Sequence, residues 1–252
     1  MKSVVVRKTK DILFETRKRY YKNKDKIKKN ISVDLGWRKL LFSQTFDNNQ
    51  YFIKETLKPH KGENAAIYIH NPQILMEQSQ GQLTLDPSVC YRLDLSKYEV
   101  PKRKNKKVVV RKIMKKDVKA VNEIYKCYHM ASINLKTVKN NQGHPAITYF
   151  VAENDGQIVG IVIGVNHVEL FNSPEKGSSL WGLAILPGNK GRGIGKLLIN
   201  YIVEHYQTKG IAYIDLYVDY DNKKAINLYR KVGFKKIPRF YLLPKKDLLK
   251  NQ

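Results

Sequence analysis

Apolar and polar residues follow several different periods along the chain, and each change of period marks an element. Over residues 9–29, Ile12, Leu13, Thr16 and Tyr20 fall on one side of a basic amphipathic helix. Residues 31–98 break into short apolar runs: Val33, Leu35 and Trp37, then 40–46, 65–69, 83–87 and 91–93. Runs of this kind, stopped by turn formers such as Asn71-Pro72, predict short strands in a small α+β unit. Residues 99–107 (EVPKRKNKK) are polar and proline-marked and read as a linker.

A second unit starts with a strand at 108–111. Asp117 is placed to cap a helix reaching Tyr128, with Val118, Val121 and Tyr125 inward. Residues 133–142 are ambiguous, a second short helix being one reading. Residues 147–153 and 157–167 flank Asn154-Asp155-Gly156 and predict a hairpin. An apolar strand follows at 179–186, then a helix from Gly195 on which Leu197, Leu198, Tyr201, Ile202 and His205 recur. Asp215, Tyr217 and Asp219 alternate with Ile214, Leu216 and Val218, the mark of a half-buried strand. Ala225, Leu228, Tyr229 and Val232 share a face of the next helix, which Gly233 closes. Residues 234–243 are expected to complete the sheet.

Composition narrows the class. With 252 residues, 42% of them hydrophobic, the chain can bury a sizeable core. No apolar run approaches the roughly 20 residues that span a bilayer, and the first residues lack a secretory signal. Cys90 and Cys127 lie far apart and no histidine pair has metal-binding spacing, which points to a reducing cytoplasm and no metal. The net charge of +25 is concentrated: residues 1–30 carry twelve Lys/Arg against three Asp/Glu, and 97–116 carry ten against one. Lysines beside Tyr20 and Tyr21 suit nucleic-acid phosphates and bases. A solvated basic tail and linker is the alternative, favoured because no nucleic-acid-binding signature accompanies them.

Chemistry enters at KGRGIGK, residues 190–196, which puts three glycines within five residues between a strand and a helix. Backbone N–H groups at such a helix start converge on an anion, and the helix end adds partial positive charge. Lys190, Arg192 and Lys196 add full charges, so the turn suits a pyrophosphate. A Walker loop would need glycine where Lys190 stands and a hydroxyl where Leu197 stands, and GRGIG misses the dinucleotide-binding interval.

The turn resembles the Arg/Gln-x-x-Gly-x-Gly/Ala signature of the GCN5-related N-acetyltransferases (GNAT), with Lys190, Gly193 and Gly195 at its fixed positions. Lysine departs from Arg or Gln there but still supplies a cation. Asn222, Ala225, Leu228, Tyr229, Gly233 and Phe234 resemble the family's late motif. Asn222 and Tyr229 lie two helical turns apart, where both can face one ligand; taken singly, they read equally well as a helix cap and a core aromatic. The resemblance implies an α/β (α+β) GNAT fold over 108–252, a mixed central sheet flanked by helices. A basic tail or helix at 1–30, the small α+β domain at 31–98 and the linker at 99–107 precede it. It implies acetyl-CoA as cosubstrate: Gly191 and Ile194 complete the diphosphate turn, Ala184, Ile185 and Leu186 run beside the pantetheine, Asn222 contacts it, and Tyr229 protonates the sulfur. Glu169 is the candidate base and His167 the second candidate, with Ser178 and Ser179 near the acceptor.

A finer resemblance extends to the first unit. VDLGWRKLLFSQTF, KGENAAIYIHNPQIL and LTLDPSVCYRLDL, with GSSLWGLAI and IPRFYLLPK, resemble the acetyltransferase half of bifunctional proteins that make N-acetylglutaminylglutamine amide, an osmoprotectant dipeptide. In those proteins an ATP-grasp ligase half follows; none follows within these 252 residues. The resemblance therefore implies a small amine or glutamine-containing dipeptide as acceptor and a separate ATP-grasp ligase as partner. Acetylation of a protein or the ribosome, and a non-catalytic module that binds acyl-CoA and regulates a partner, are the other readings.

Overall fold

Residues 24–60, 63–101 and 107–245 are described by the structure, a computed structural model, and their strands form two sheets. In the first half, β1 (Ser32–Asp34) and β2 (Arg38–Phe42) pair antiparallel, and β3 (Glu63–Ile69) runs parallel to β2. Between them lies α1 (Asn49–Leu57), begun by Asn48, whose Oδ1 accepts the Tyr51 N–H at 2.9 Å. Then come α2 (Pro72–Gln78), opened by its proline, β4 (Leu83–Leu85) and β5 (Ser88–Asp94).

The second half starts with β6 (Val108–Lys112), α3 (Val118–Lys126), α4 (Leu135–Asn141) and β7 (Ile147–Asn154). β8 (Gln157–Asn166) follows across a turn with Asp155 at φ +49 and Gly156 at φ +78, the handedness a two-residue hairpin needs. α5 (His167–Phe171) leads to β9 (Gly177–Ile185), α6 (Ile194–Gln207), β10 (Tyr213–Asp219), α7 (Lys223–Val232), β11 (Lys235–Lys236) and β12 (Phe240–Pro244). Among the described residues no helix is long and apolar enough to cross a membrane.

The two halves repeat one motif. Apart from α5, which is inserted between β8 and β9, β8–β9–α6–β10–α7–β11–β12 has the same order and pairing sense as β1–β2–α1–β3–α2–β4–β5, and each copy gives its last strand to the other. β5 sits antiparallel between β10 and β11, and β12 sits antiparallel between β3 and β4. The expectation that 234–243 completes the second sheet is therefore corrected: β11 stays in it, and β5 takes the slot that β12 vacates. Strands cross the expected boundary at 99–107 in both directions.

Other expectations change locally. Asp117 does not cap α3 with its side chain; it accepts the Met114 N–H at 2.7 Å and pairs with Arg111 at 2.6 Å. β10 is not half-buried, because Asp215 is as inaccessible as Ile214 and Leu216. The basic segment at 9–29 falls mostly outside the described residues. Lys24–Lys26 makes a single 3₁₀ turn, after which Ile27 is buried and the Lys28 N–H donates to Phe171 O at 3.1 Å. That end of the segment is docked, not a solvated tail.

Candidate functional site

β9 and β10 run parallel and pair from Gly177↔Tyr213 to Leu180↔Leu216, where the pairing stops. β9 continues to Ile185, held by β8, and β10 continues to Asp219, held by β5. A wedge opens within the sheet between 181–185 and 217–219. Its cause is local: Gly182 has φ +56, and the β8–β9 register slips between Ile161 and Ile163. A Cβ on Gly182 would stand 2.5 Å from Tyr125 Oη. The Tyr125 hydroxyl donates to Gly182 O at 2.9 Å and the Tyr128 hydroxyl to Ile185 O, so α3 and the residues after it pin the bulged strand. The Leu186 N–H is spent on Val159 O at 2.9 Å. Peptide groups alternate sides along a strand, so among 184–186 it is Ile185 that turns its peptide toward the wedge. An open strand edge is what an extended, amide-bearing ligand pairs with.

The glycine turn stands at the mouth of this wedge. Pro187–Asn189 forms one 3₁₀ turn, Lys190 is extended, and Gly191 and Gly193 lie at φ +79 and +77. A Cβ on either glycine would meet nothing within 4 Å, so handedness and not space demands glycine there. Gly195 differs, since its Cβ would lie 3.0 Å from Leu228 Cδ2; the missing side chain lets α6 seat against α7. Gly193 caps α6 without a side-chain hydrogen bond, and the first turn holds no acid. Its N–H groups are left to an external anion. Lys190, Arg192 and Lys196 are exposed around it, with Lys190 Nζ 4.6 Å over the Tyr128 ring.

Asn222 caps α7, its Oδ1 accepting the Ala225 N–H at 3.1 Å. Tyr229 is buried in the cluster that also holds Ile194 and Val218, its ring 5.6 Å from Phe234. Burial pushes its phenol well above the ordinary 10, so the proton stays on oxygen across the neutral range. Glu169 is exposed on α5, before the start of β9. The five residue steps from Gly177 to Gly182 span roughly 17 Å, and the structure does not bring Glu169 to the wedge. His167 is 1% exposed, with Nε2 3.0 Å from Ser179 Oγ; burial, then the Arg92 charge, lower its imidazole to about 3. Ser179 also accepts from Trp181 Nε1 at 2.8 Å, and the Ser178 hydroxyl donates to Tyr213 O at 2.9 Å. The two serines and His167 are internal framework, not acceptor contacts.

The acetyltransferase (GNAT) family model matches residues 118–234, from the start of α3 to just past α7. The [ribosomal protein bS18]-alanine N-acetyltransferase of Haemophilus influenzae is 31% identical over 121 residues, covering 48% of this chain and 77% of that protein. The chain belongs to the GNAT acetyltransferase family. Mycothiol acetyltransferase of Streptomyces avermitilis is 34% identical over 86 residues, 34% of this chain and 26% of that protein. The chain thus spans about a quarter of the length of the mycothiol acetyltransferases it matches. A GCN5-related N-acetyltransferase from Kribbella flavida has the same fold, with TM-score 0.55 at 13% identity over 88% of this chain and 91% of that one.

The GNAT wedge has a second wall that sequence reasoning missed. On the side away from α6 and α7, Trp181 stacks on Tyr217 at 5.9 Å, and Tyr217 meets Tyr241 edge-on at 5.7 Å. Tyr241 belongs to β12; its hydroxyl accepts from Arg38, which also pairs with Glu63. The Tyr68 N–H donates to Tyr217 Oη at 3.0 Å. Tyr217 and Asp219 share a face of β10 by alternation, which puts Asp219 at the mouth on this side. Burial, then Asp221 and Asp86, raise its carboxyl above the ordinary value. Acetyl-CoA fits the residues present: the free β9 edge suits the pantetheine amides, and the α6 start with its lysines and arginine suits the diphosphate.

Proposed function

We propose that the chain transfers the acetyl group of acetyl-CoA to a primary amine. The observation that carries this reading is the wedge between β9 and β10, opening onto a glycine turn at a helix N-terminus. In the reaction the amine nitrogen bonds to the acetyl carbon, the carbon–sulfur bond breaks, the amine proton leaves to solvent and the sulfur regains a proton. The Ile185 N–H is aimed into the wedge to polarise the thioester carbonyl. Asp219 gathers the acceptor's ammonium at the mouth of the wedge. A thiol titrates near 8.5, below the phenol of Tyr229, so complete proton transfer from that phenol is uphill. Tyr229 therefore acts by donating a hydrogen bond to the departing sulfur. Tyr229→Phe should lower kcat about tenfold and leave the KM for acetyl-CoA unchanged. Asp219→Asn should instead raise the KM of the amine about tenfold. Steady-state kinetics checks both.

For the acceptor, the likeness of 33–46, 61–75 and 83–95 to N-acetylglutaminylglutamine amide proteins supports a glutamine-containing dipeptide, within a cytoplasmic osmoprotectant pathway that a separate ATP-grasp ligase serves. Incubation with acetyl-CoA and Gln-Gln, read by mass spectrometry, should give the monoacetylated peptide. Absence of product with every glutamine-containing acceptor overturns that assignment. The bS18-alanine relative supports a protein N-terminus instead, and a peptide beginning with alanine in the same assay separates the two. Failure of acetyl-CoA to bind at roughly millimolar concentration in calorimetry would overturn the whole reading.

A further inference from the structure

We propose a second binding site, for a small zwitterion with an apolar side chain such as a hydrophobic amino acid, in the cleft where the two sheets meet. The cleft holds about 490 Å³, within the size range of small-molecule sites. The first half of the chain lines it with an apolar group, Phe46, Phe52, Ile74 and Leu75, set among polar residues that include Asn49 and Tyr68. A second, polar wall carries Arg92, Glu175, Tyr213 and Arg239.

Most of the charge on that wall is already committed. Arg92 gives Nε and Nη2 to the Asp215 carboxylate, each at 2.7 Å, and lies 3.5 Å over the Tyr213 ring. The Tyr213 hydroxyl donates to Glu175 Oε2 at 2.6 Å. Arg239 is different. It is 6% exposed, and among the described residues its hydrogen bond is Nη1 to Pro238 O at 3.0 Å, with no carboxylate in salt-bridge range. A guanidinium presents five donors in a planar fork, and burying it unpaired is costly. Tyr68 lines the same cleft, 5% exposed, and its hydroxyl has no hydrogen-bond partner. Its backbone sits at φ +63, a conformation that bulky side chains rarely hold.

The Arg239 guanidinium, which is tied to a backbone carbonyl and to no carboxylate, and the partnerless Tyr68 hydroxyl thus both belong to the lining of a space large enough for a further partner. A carboxylate matches the Arg239 fork bidentately. Burial raises the Glu175 carboxyl, while the Tyr213 hydroxyl and the Arg92 and Arg239 charges act against that rise; an ammonium bound beside it would gain a counterion and favour its ionised form. Opposite charges lining one cleft suit a molecule whose carboxylate and ammonium share one carbon. Its side chain then rests on Phe46 and Phe52.

The cleft is distinct from the acetyl-transfer wedge. Glu175 precedes β9 and Tyr213 opens β10, whereas the wedge begins at Tyr217, roughly 13 Å further along. Within the internal repeat, the cleft lies at the ends of β2 and β3, where the second half has its wedge. There β2 pairs with β3 along its whole length, to Phe42↔Ile67, so no extended ligand can slot between them. A compact ligand can still sit above the strand ends. Since the Tyr68 N–H holds Tyr217 Oη, an occupant touching Tyr68 bears on the wall of the wedge.

Calorimetric titration of the full chain with L-leucine, L-leucinamide and 4-methylpentanoate tests this, with acetyl-CoA titrated into the same preparation. L-Leucine should bind, and loss of either charged group should weaken binding at least about tenfold. Arg239→Gln should abolish the advantage of leucine over leucinamide, and Glu175→Gln its advantage over 4-methylpentanoate, with acetyl-CoA affinity unchanged in both. No heat with L-leucine, L-methionine or L-phenylalanine at roughly 10 mM overturns the proposal. So does leucine binding that neither variant alters. Because acetyl-CoA is measured separately, either failure leaves the reading of the wedge standing.

Discussion

Asp215 occupies the middle of β10 with no exposed surface, and its two oxygens accept from Nε and Nη2 of Arg92 across to β5. Taking one partner away leaves the other charge buried and unpaired. Asp215→Asn should therefore cost about 3 kcal/mol in urea unfolding, while Asp215→Leu combined with Arg92→Met should recover much of that loss. His167 makes a second residue-scale prediction, through pH. Its ordinary value of 6.5 falls to about 3 in the fold, first through burial and then through the Arg92 charge. Between those values the unfolded chain binds a proton that the folded chain refuses. Stability is complete above pH 6.5 and is lost as pH falls through the window, by about 1.4 kcal/mol per unit for one proton. Urea midpoints measured from about pH 6 to 4 should show this slope, and His167→Gln should flatten it.

At the scale of elements, the start of α6 separates strain from charge. Gly193 sits at φ +77 with open space where a Cβ would go. Gly193→Ala should cost about 1 kcal/mol of stability and change acetyl-CoA affinity little, because only the backbone preference is offended. Gly193→Glu should cost the same stability yet weaken acetyl-CoA at least about tenfold in calorimetry, since it sets a negative charge among Lys190, Arg192 and Lys196. Elements of this kind were legible in the sequence because their signals are local. Glycine spacing marked the turn, Asn154-Asp155-Gly156 marked the hairpin of β7 and β8, and Gly233 marked the end of α7. α1 and α2 were not legible, being nine and seven residues long with polar positions on most faces. Asp215 read as an outward residue because alternation reports which face a side chain takes, not what later covers that face. Glu169 read as near the thioester because closeness to β9 in sequence said nothing about which end of the strand opens. The aromatic wall escaped notice for the same reason: Trp181, Tyr217 and Tyr241 come from three strands, and one of these arrives by exchange.

That exchange governs the molecule as a whole. β5 places Tyr91 and Leu93 in the core beside β10, and β12 places Tyr241 and Leu242 in the sheet built on β3. Each buried side chain of this size contributes about 1.5–3 kcal/mol through removal from water. Neither half can leave without pulling its own last strand out of the other's sheet, so the halves should hold together without a covalent link. A protease site placed at 102–106 tests this. After complete cleavage the two fragments should co-elute in size-exclusion chromatography, and urea unfolding should still give one transition by fluorescence and circular dichroism alike. Replacing Leu242 by Asp puts a charge at a fully buried position of the exchanged β12, and it should let the cleaved fragments separate. Separation of the cleaved wild-type fragments under native conditions would show the halves to be independent domains, and the second wall of the wedge would then not depend on the first half of the chain.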